Sequence, residues 1–181
     1  TGFGRTGKWF AIENWGVEPD IMTMAKALGN GVPIGVFISR PEIADRYTRP
    51  GASTLGGNPV SMTAGLATLE VIEKEGLIQN AAELGPYLKE KLLELKDKHP
   101  LIGDVRGIGL MQGAELVKES KEPAAQEVDR ILEIMKDKGI IIGKNGRSRN
   151  VLAFQPPLVI TKENVDEMIA ALDDALTQVE K

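Results

Sequence analysis

One lysine in this sequence stands where chemistry is possible. Ile21-Met22-Thr23-Met24-Ala25 is a short apolar run ending at Lys26. The glycine-rich stretch Ala27-Leu28-Gly29-Asn30-Gly31-Val32-Pro33 follows, then a second apolar run, Ile34-Gly35-Val36-Phe37-Ile38-Ser39. Read as strand, turn and strand, this predicts Lys26 at the end of a buried strand, beside backbone that glycine allows to bend sharply. Desolvation at such a place lowers the pKa of an amine and makes it a nucleophile. A lysine on a turn is also commonly a solvated surface charge, so the stretch gains weight only from its neighbours.

Those neighbours include two glycine loops and several arginines. Gly2-Phe3-Gly4-Arg5-Thr6-Gly7 spells G-x-G-x-x-G and, with Lys8, most of a phosphate-binding loop. A dinucleotide site needs a strand in front of that pattern, and a phosphate loop needs Ser or Thr where Trp9 stands. The plainer reading is a tight loop that needs glycine, with a nucleotide-binding module built on Gly2 to Lys8 as an alternative. Ser53-Thr54-Leu55-Gly56-Gly57-Asn58-Pro59 places two hydroxyls and free N–H groups before a helix start. The same atoms serve an anion site or an ordinary helix cap. Arg106, beside Gly107 and Gly109, and Arg147 and Arg149 in a basic loop carry the planar fork that grips carboxylates. Arg147 reads as a solvated charge, and Trp9 and Trp15 as packing residues.

Composition removes several classes of function. The chain has no cysteine and a single histidine, which excludes disulfides, thiolate metal centres and multi-histidine sites. His99, in Lys98-His99-Pro100, reads as a solvated helix-end residue. A net charge of −4 with acids and bases interspersed argues against nucleic acid as the main partner. No apolar run reaches membrane-spanning length and no signal peptide is evident, so a cytoplasmic location is the default expectation. A length of 181 residues suits one domain or two small ones. The opening Thr1-Gly2-Phe3-Gly4, with no methionine and no strand before its loop, reads as part of a longer protein.

The positioning elements follow from periodicity and punctuation. A short helix runs toward Gly16, and Pro41 starts another as far as Tyr47. A helix is predicted from Val60 to Glu75 with Leu66, Leu69 and Ile72, flanked by Ala67 and Val71, on its apolar face. Gly76 separates it from a long helix, Leu77 to Lys98, with Leu84, Leu88, Leu92 and Leu95 on one stripe. Val105 to Leu116 reads as a bent strand pair or one glycine-kinked strand. A helix from Pro123 to Lys138 turns Val128, Ile131, Leu132 and Met135 inward. Ile140-Ile141-Ile142-Gly143 reads as a short buried strand and Val151-Leu152-Ala153-Phe154 as another. Thr161 caps a last helix from Lys162 to Val179.

Taken together, five stretches resemble the class III pyridoxal-phosphate-dependent aminotransferases, in the subgroup of alanine–glyoxylate aminotransferase 2 and the 4-aminobutyrate and other ω-amino acid aminotransferases. They are Thr1 to Gly7, Pro19 to Lys26 with Gly29 to Pro33, Ser53 to Pro59, Gly103 to Met111, and Pro156-Pro157-Leu158. The resemblance implies an α/β chain that is the C-terminal part of a fold-type I transferase. Residues 1–75 would end the large cofactor domain, 76–99 form a connecting helix, and 100–181 form a small α+β domain. It implies pyridoxal 5'-phosphate as cofactor, with Lys26 as its Schiff-base lysine, and amino acid and 2-oxo acid substrates. Ser53 and Thr54 would bind the cofactor phosphate of the neighbouring subunit in a homodimer. It also implies an absent N-terminal part carrying the aspartate that pairs with the pyridine nitrogen. Many members have arginine where Ala153 stands; Arg149 is the candidate replacement for holding a substrate carboxylate. A racemase or epimerase on the same scaffold is the alternative that shares the cofactor chemistry.

Overall fold

The computed structural model describes residues 1–181, and its elements gather around two hydrophobic cores. The smaller core is formed by Phe3, Leu28, Ile72 and Leu77, and the larger by twenty buried residues from Ala81 to Val179. Leu158 packs against both. No helix is long and apolar enough to cross a membrane.

Around the smaller core, a 3-10 turn at Ala11–Trp15 ends at Gly16 in the left-handed conformation. Strand β1 (Ile21–Ala25) pairs antiparallel with β2 (Gly35–Ser39), Ala25 opposite Gly35. Helix α1 (Pro41–Ala44) is a single turn, shorter than the run to Tyr47 that Pro41 suggests. Helix α2 (Pro59–Lys74) starts with proline at its first position, and the Asn58 side chain accepts from the Ser61 N–H at 3.0 Å. Its buried positions are Ser61, Gly65 and Ile72, whereas Leu66 is 70% exposed and Val71 also faces out. Of the predicted apolar face, Ile72 and Leu69 pack on the smaller core as expected, whereas Leu66, Ala67 and Val71 face out. Small residues lie inward because α2 packs closely on the turn after β1.

The larger core is built on helix α3 (Leu77–Lys98), which buries Leu77, Ala81, Gly85, Leu88, Leu92 and Leu95. Gly76 adopts φ 63° ahead of it, and Pro86 sits on its exposed side without ending it. Strands β3 (Ile102–Ile108) and β4 (Met111–Leu116) form a hairpin whose two-residue turn is Gly109-Leu110. Helix α4 (Ala125–Asp137) buries Val128, Ile131 and Met135 as the periodicity predicts, with Leu132 half-buried. Strands β5 (Gly143–Asn145) and β6 (Val151–Phe154) complete an antiparallel sheet in the order β3-β4-β6-β5. The strand expected at Ile140–Gly143 is displaced: Ile141 is 90% exposed, and pairing with β6 begins only at Gly143. Helix α5 (Lys162–Val179) is capped by Thr161, which accepts from the Asn164 N–H.

Backbone proximity joins the two cores. A Cβ added at Gly85 would lie 2.4 Å from the Gly109 Cα, and one at Gly109 would lie 2.6 Å from the Thr6 carbonyl carbon. One at Gly7 would meet Ala82 at 2.9 Å. Glycine thus lets loop 2–7, helix α3 and the hairpin turn touch through main chain. Asn80 adds a tie by donating to the carbonyls of Leu158 and Ile160.

His99 departs from its expected solvated position. It is 5% exposed, with Nδ1 2.7 Å from Glu180 and Nε2 2.7 Å from Asp173, so it clasps the end of α3 to the end of α5. Burial pulls its pKa down, but hydrogen bonds to Glu180 and Asp173, with their charges, outweigh this and hold it above the ordinary 6.5. The hydrogen bond from His99 in turn holds the Asp173 carboxyl below its usual range.

Two outcomes test this account. Overpacking against backbone costs about 1–3 kcal/mol, against about 1 kcal/mol of helix propensity gained by replacing glycine, so Gly85→Ala should lower the urea midpoint of unfolding. Because the folded-state pKa of His99 is raised, its stabilisation is complete below pH 6.5 and is lost as pH rises through the raised value. The melting temperature should therefore fall from mildly acidic to mildly alkaline pH, and His99→Gln should flatten that slope.

Candidate active site

The turn that carries Lys26 is held from below. Lys26 opens a 3-10 turn, Lys26–Gly29, directly after β1, and has φ 53°, a left-handed conformation unusual for a residue with a side chain. Asn30 and Gly31 also have positive φ, which turns the chain back into β2. Leu28 and Gly29 are the buried residues of the turn. Ile34 packs within 2.9 Å of where a Gly29 Cβ would stand and 3.1 Å of a Gly65 Cβ, so both glycines are needed for α2 to reach the turn. The Ser61 hydroxyl donates to the Pro33 carbonyl at 2.7 Å and fixes the start of α2 to the same loop.

Lys26 itself is exposed, and β1 alternates between exposed and half-buried positions. This corrects the expectation of an amine at the end of a buried strand. Within this chain β1 pairs only with β2, which leaves the strand's faces open. The amine lines a cavity of about 650 Å³. Trp15, Thr23 and Arg5 line it too, as do Met111 at the start of β4 and Gln155 just after β6. Lys26 and Arg5 are its only charged side chains, and no carboxylate lines it.

Arg5 is the functional candidate that sequence reasoning missed. It is half-buried, and its Nη1 donates to the carbonyls of Leu110, at 3.1 Å, and Pro156. The Leu110 N–H donates back to the Arg5 carbonyl at 3.0 Å. Burial lowers its pKa from the ordinary guanidinium value. The available signal was a lone charge between Gly4 and Gly7. The glycines of the phosphate-loop spelling serve packing: Gly7 lies against Ala82, and Gly4 against Ile78 and Leu158. A 3-10 turn rather than a helix follows this loop, so the helix that the nucleotide-binding reading requires is missing.

The remaining candidates lie elsewhere. Ser53 and Thr54 are exposed and do not line the Lys26 cavity; the Ser53 hydroxyl accepts from the Gly56 N–H at 3.0 Å. Asn58 already occupies the capping position of α2. Arg149, exposed with φ 54° in the loop between β5 and β6, also lies off the cavity. Arg106 pairs with Asp104 at 2.8 Å and Glu115 at 2.6 Å across the hairpin, which leaves it a strand-pairing residue. Ala153 lines a second cavity of about 640 Å³, and Gln155 lines both.

Comparison with known proteins decides the family. The family described as aminotransferase class-III matches residues 1–176. This chain belongs to the class-III aminotransferases. It is 50% identical over 182 aligned residues to alanine–glyoxylate aminotransferase 2 homolog 2, mitochondrial, of Arabidopsis thaliana, covering 99% of this chain and 38% of that protein. It is 47% identical to a leucine/methionine racemase of Thermococcus litoralis, covering 100% of this chain and 41% of that protein. A solved Bacillus anthracis aminotransferase superposes with a TM-score of 0.90 at 40% identity, over 98% of this chain and 43% of that one. The chain is thus an α/β-fold portion of a class-III family protein, spanning about two fifths of the length of these relatives.

Proposed function

We propose that this chain carries the cofactor lysine and small domain of an enzyme that transfers an amino group from an amino acid to a 2-oxo acid. The donor class is alanine, 4-aminobutyrate or another ω-amino acid. The observation that carries the reading is Lys26: a primary amine with no acidic partner, held by a strained turn on a cavity with aromatic and apolar walls. Those features fit pyridoxal 5'-phosphate, whose aldehyde needs an amine and whose flat ring needs apolar walls. When bound, the cofactor supplies the carbon that accepts the amino group and a ring that withdraws electrons from the substrate.

In this reading, the Lys26 Nζ holds the cofactor until substrate displaces it. The freed amine then moves the proton of the substrate carbon that bears nitrogen. β1 and the Lys26–Gly29 turn orient that amine, and Phe10, Trp15 and Met111 line one side of its cavity. Ser53 and Thr54, off the cavity of their own chain, serve the cofactor phosphate of a neighbouring subunit, and a homodimer follows from that. Residues 1–75, 76–99 and 100–181 are the large-domain part, connecting helix and small domain, a division supported by the two cores flanking the start of α3. A cytoplasmic location belongs to the same proposal.

The racemase relative favours one second reading, racemisation or epimerisation of an amino acid at the same lysine. The two separate on one requirement: transamination consumes an oxo acid, whereas racemisation proceeds without one. In the complete enzyme, borohydride should fix the cofactor to the peptide containing Lys26. Lys26→Ala should abolish that adduct and slow amino transfer by roughly a hundred- to ten-thousandfold. An unmodified Lys26 peptide in active enzyme rejects the proposal.

A further inference from the structure

Past Ala27, only Met111 and Gln155 line the Lys26 cavity. These two belong together in the sheet. The β4–β6 ladder ends at Gln112 opposite Phe154, and the next pair in the same register is Met111 and Gln155. The pair after that is Leu110 and Pro156. Proline has no N–H with which to carry a ladder on. Arg5 supplies donors at this place: its Nη1 donates to the Leu110 carbonyl at 3.1 Å and to the Pro156 carbonyl. One guanidinium nitrogen thus clips the two strand ends together, one residue beyond Met111 and one beyond Gln155.

We infer that Arg5 is a positioning residue: by holding Leu110 and Pro156 it sets the wall that Met111 and Gln155 present to the acid reacting at Lys26. It thereby sets which substrates fit. The inference rests on the function proposed above and adds what fixes its specificity. Arginine suits the place because one planar nitrogen carries two N–H groups and so reaches two carbonyls at once. Its charge makes both bonds stronger than those of a neutral amide. The Arg5 carbonyl accepts from the Leu110 N–H at 3.0 Å, so loop 2–7 and the hairpin turn are joined in both directions. Leu110 is fully buried. Farther along, Asn80 donates to the carbonyls of Leu158 and Ile160 and anchors the segment that Pro156 begins. Loss of the Arg5 side chain therefore frees the wall locally, while the core and the rest of the sheet stay in place.

The test compares wild type, Arg5→Gln and Arg5→Lys in the complete enzyme, each alone and combined with Met111→Ala and Gln155→Ala. Amide exchange is followed in the cofactor-free protein. In the holoenzyme, kcat/KM is measured for two amino donors of unequal size that the wild type accepts, such as alanine and norvaline. In Arg5→Gln, amides of residues 108–112 and 158–160 should exchange about tenfold faster, with those of α4 unchanged. The kcat/KM ratio of norvaline to alanine should rise about tenfold, through KM, as the wall recedes. Arg5→Lys keeps the charge without the planar fork and should fall between, and it decides by the same criteria where Arg5→Gln does not fold. With Met111 and Gln155 already alanine, replacing Arg5 should move the donor ratio less than about twofold, because Arg5 acts through those side chains. An unchanged donor ratio, an equal loss on both donors, or an undiminished shift in the alanine background overturns the inference. So does unaltered exchange in both segments. A wild type that transfers no amino group from either donor counts against the proposed function instead, and the exchange rates still decide whether Arg5 holds the wall.

Discussion

The structure depends on a place where three backbones meet without side chains between them. Loop 2–7 touches helix α3 at Ala82, α3 touches the β3–β4 turn through Gly85 and Gly109, and that turn touches Thr6. Packed interiors yield little, so even one added methyl here meets main chain. This contact holds the smaller core, which carries Lys26, against the larger one, which supplies Met111 and Gln155 to the same cavity. The hydrogen bonds of Arg5 to Leu110 and Pro156 follow from it, because the guanidinium reaches those carbonyls only once the backbones have met.

The cavity's electrostatics follow from this arrangement. Acidic residues are more numerous than basic ones in the chain, yet the cavity holds two cations and no carboxylate. Several charges elsewhere are paired: Arg106 holds Asp104 on its own strand and Glu115 across the hairpin, Lys98 and His99 meet Asp173, and Lys144 meets Asp129. Most of these pairs are exposed and contribute little to stability. Lys26 and Arg5 have no such partner and line one cavity, a distribution suited to an anionic ligand.

Exposed apolar residues mark the faces this chain does not cover. Leu66 and Val60 on α2, Phe37 on β2 and Leu55 before α2 all stand in the open. On α2, helical periodicity placed Leu69 and Ile72 correctly but turned Leu66, Ala67 and Val71 inward when they face out. Periodicity identifies apolar positions but cannot say which partner buries them, and here the close partner is the Lys26 turn, which selects Ser61 and Gly65. The same blindness applied to Ile141, an isoleucine in an apolar run that the sheet register leaves outside. His99 erred in the opposite direction, since its two carboxylate partners lie over seventy residues away in sequence.

Local chemistry was enough to place α2, α3, α4 and α5, the strands beside Lys26, the cap at Thr161, and the family resemblance. Each depends on residues near one another in the chain: proline at a first turn, glycine after a last one, an apolar stripe at helical spacing. Lys26 was legible for the same reason, as a lysine set between an apolar run and a glycine turn. Its exposure was not, because burial is settled by how many strands flank β1. Nor was Arg5, whose partners Leu110 and Pro156 lie more than a hundred residues away. Sequence determined which residues can carry charge and where the chain turns; tertiary structure alone decided which charges share a cavity, because that depends on contacts between segments with no local signature.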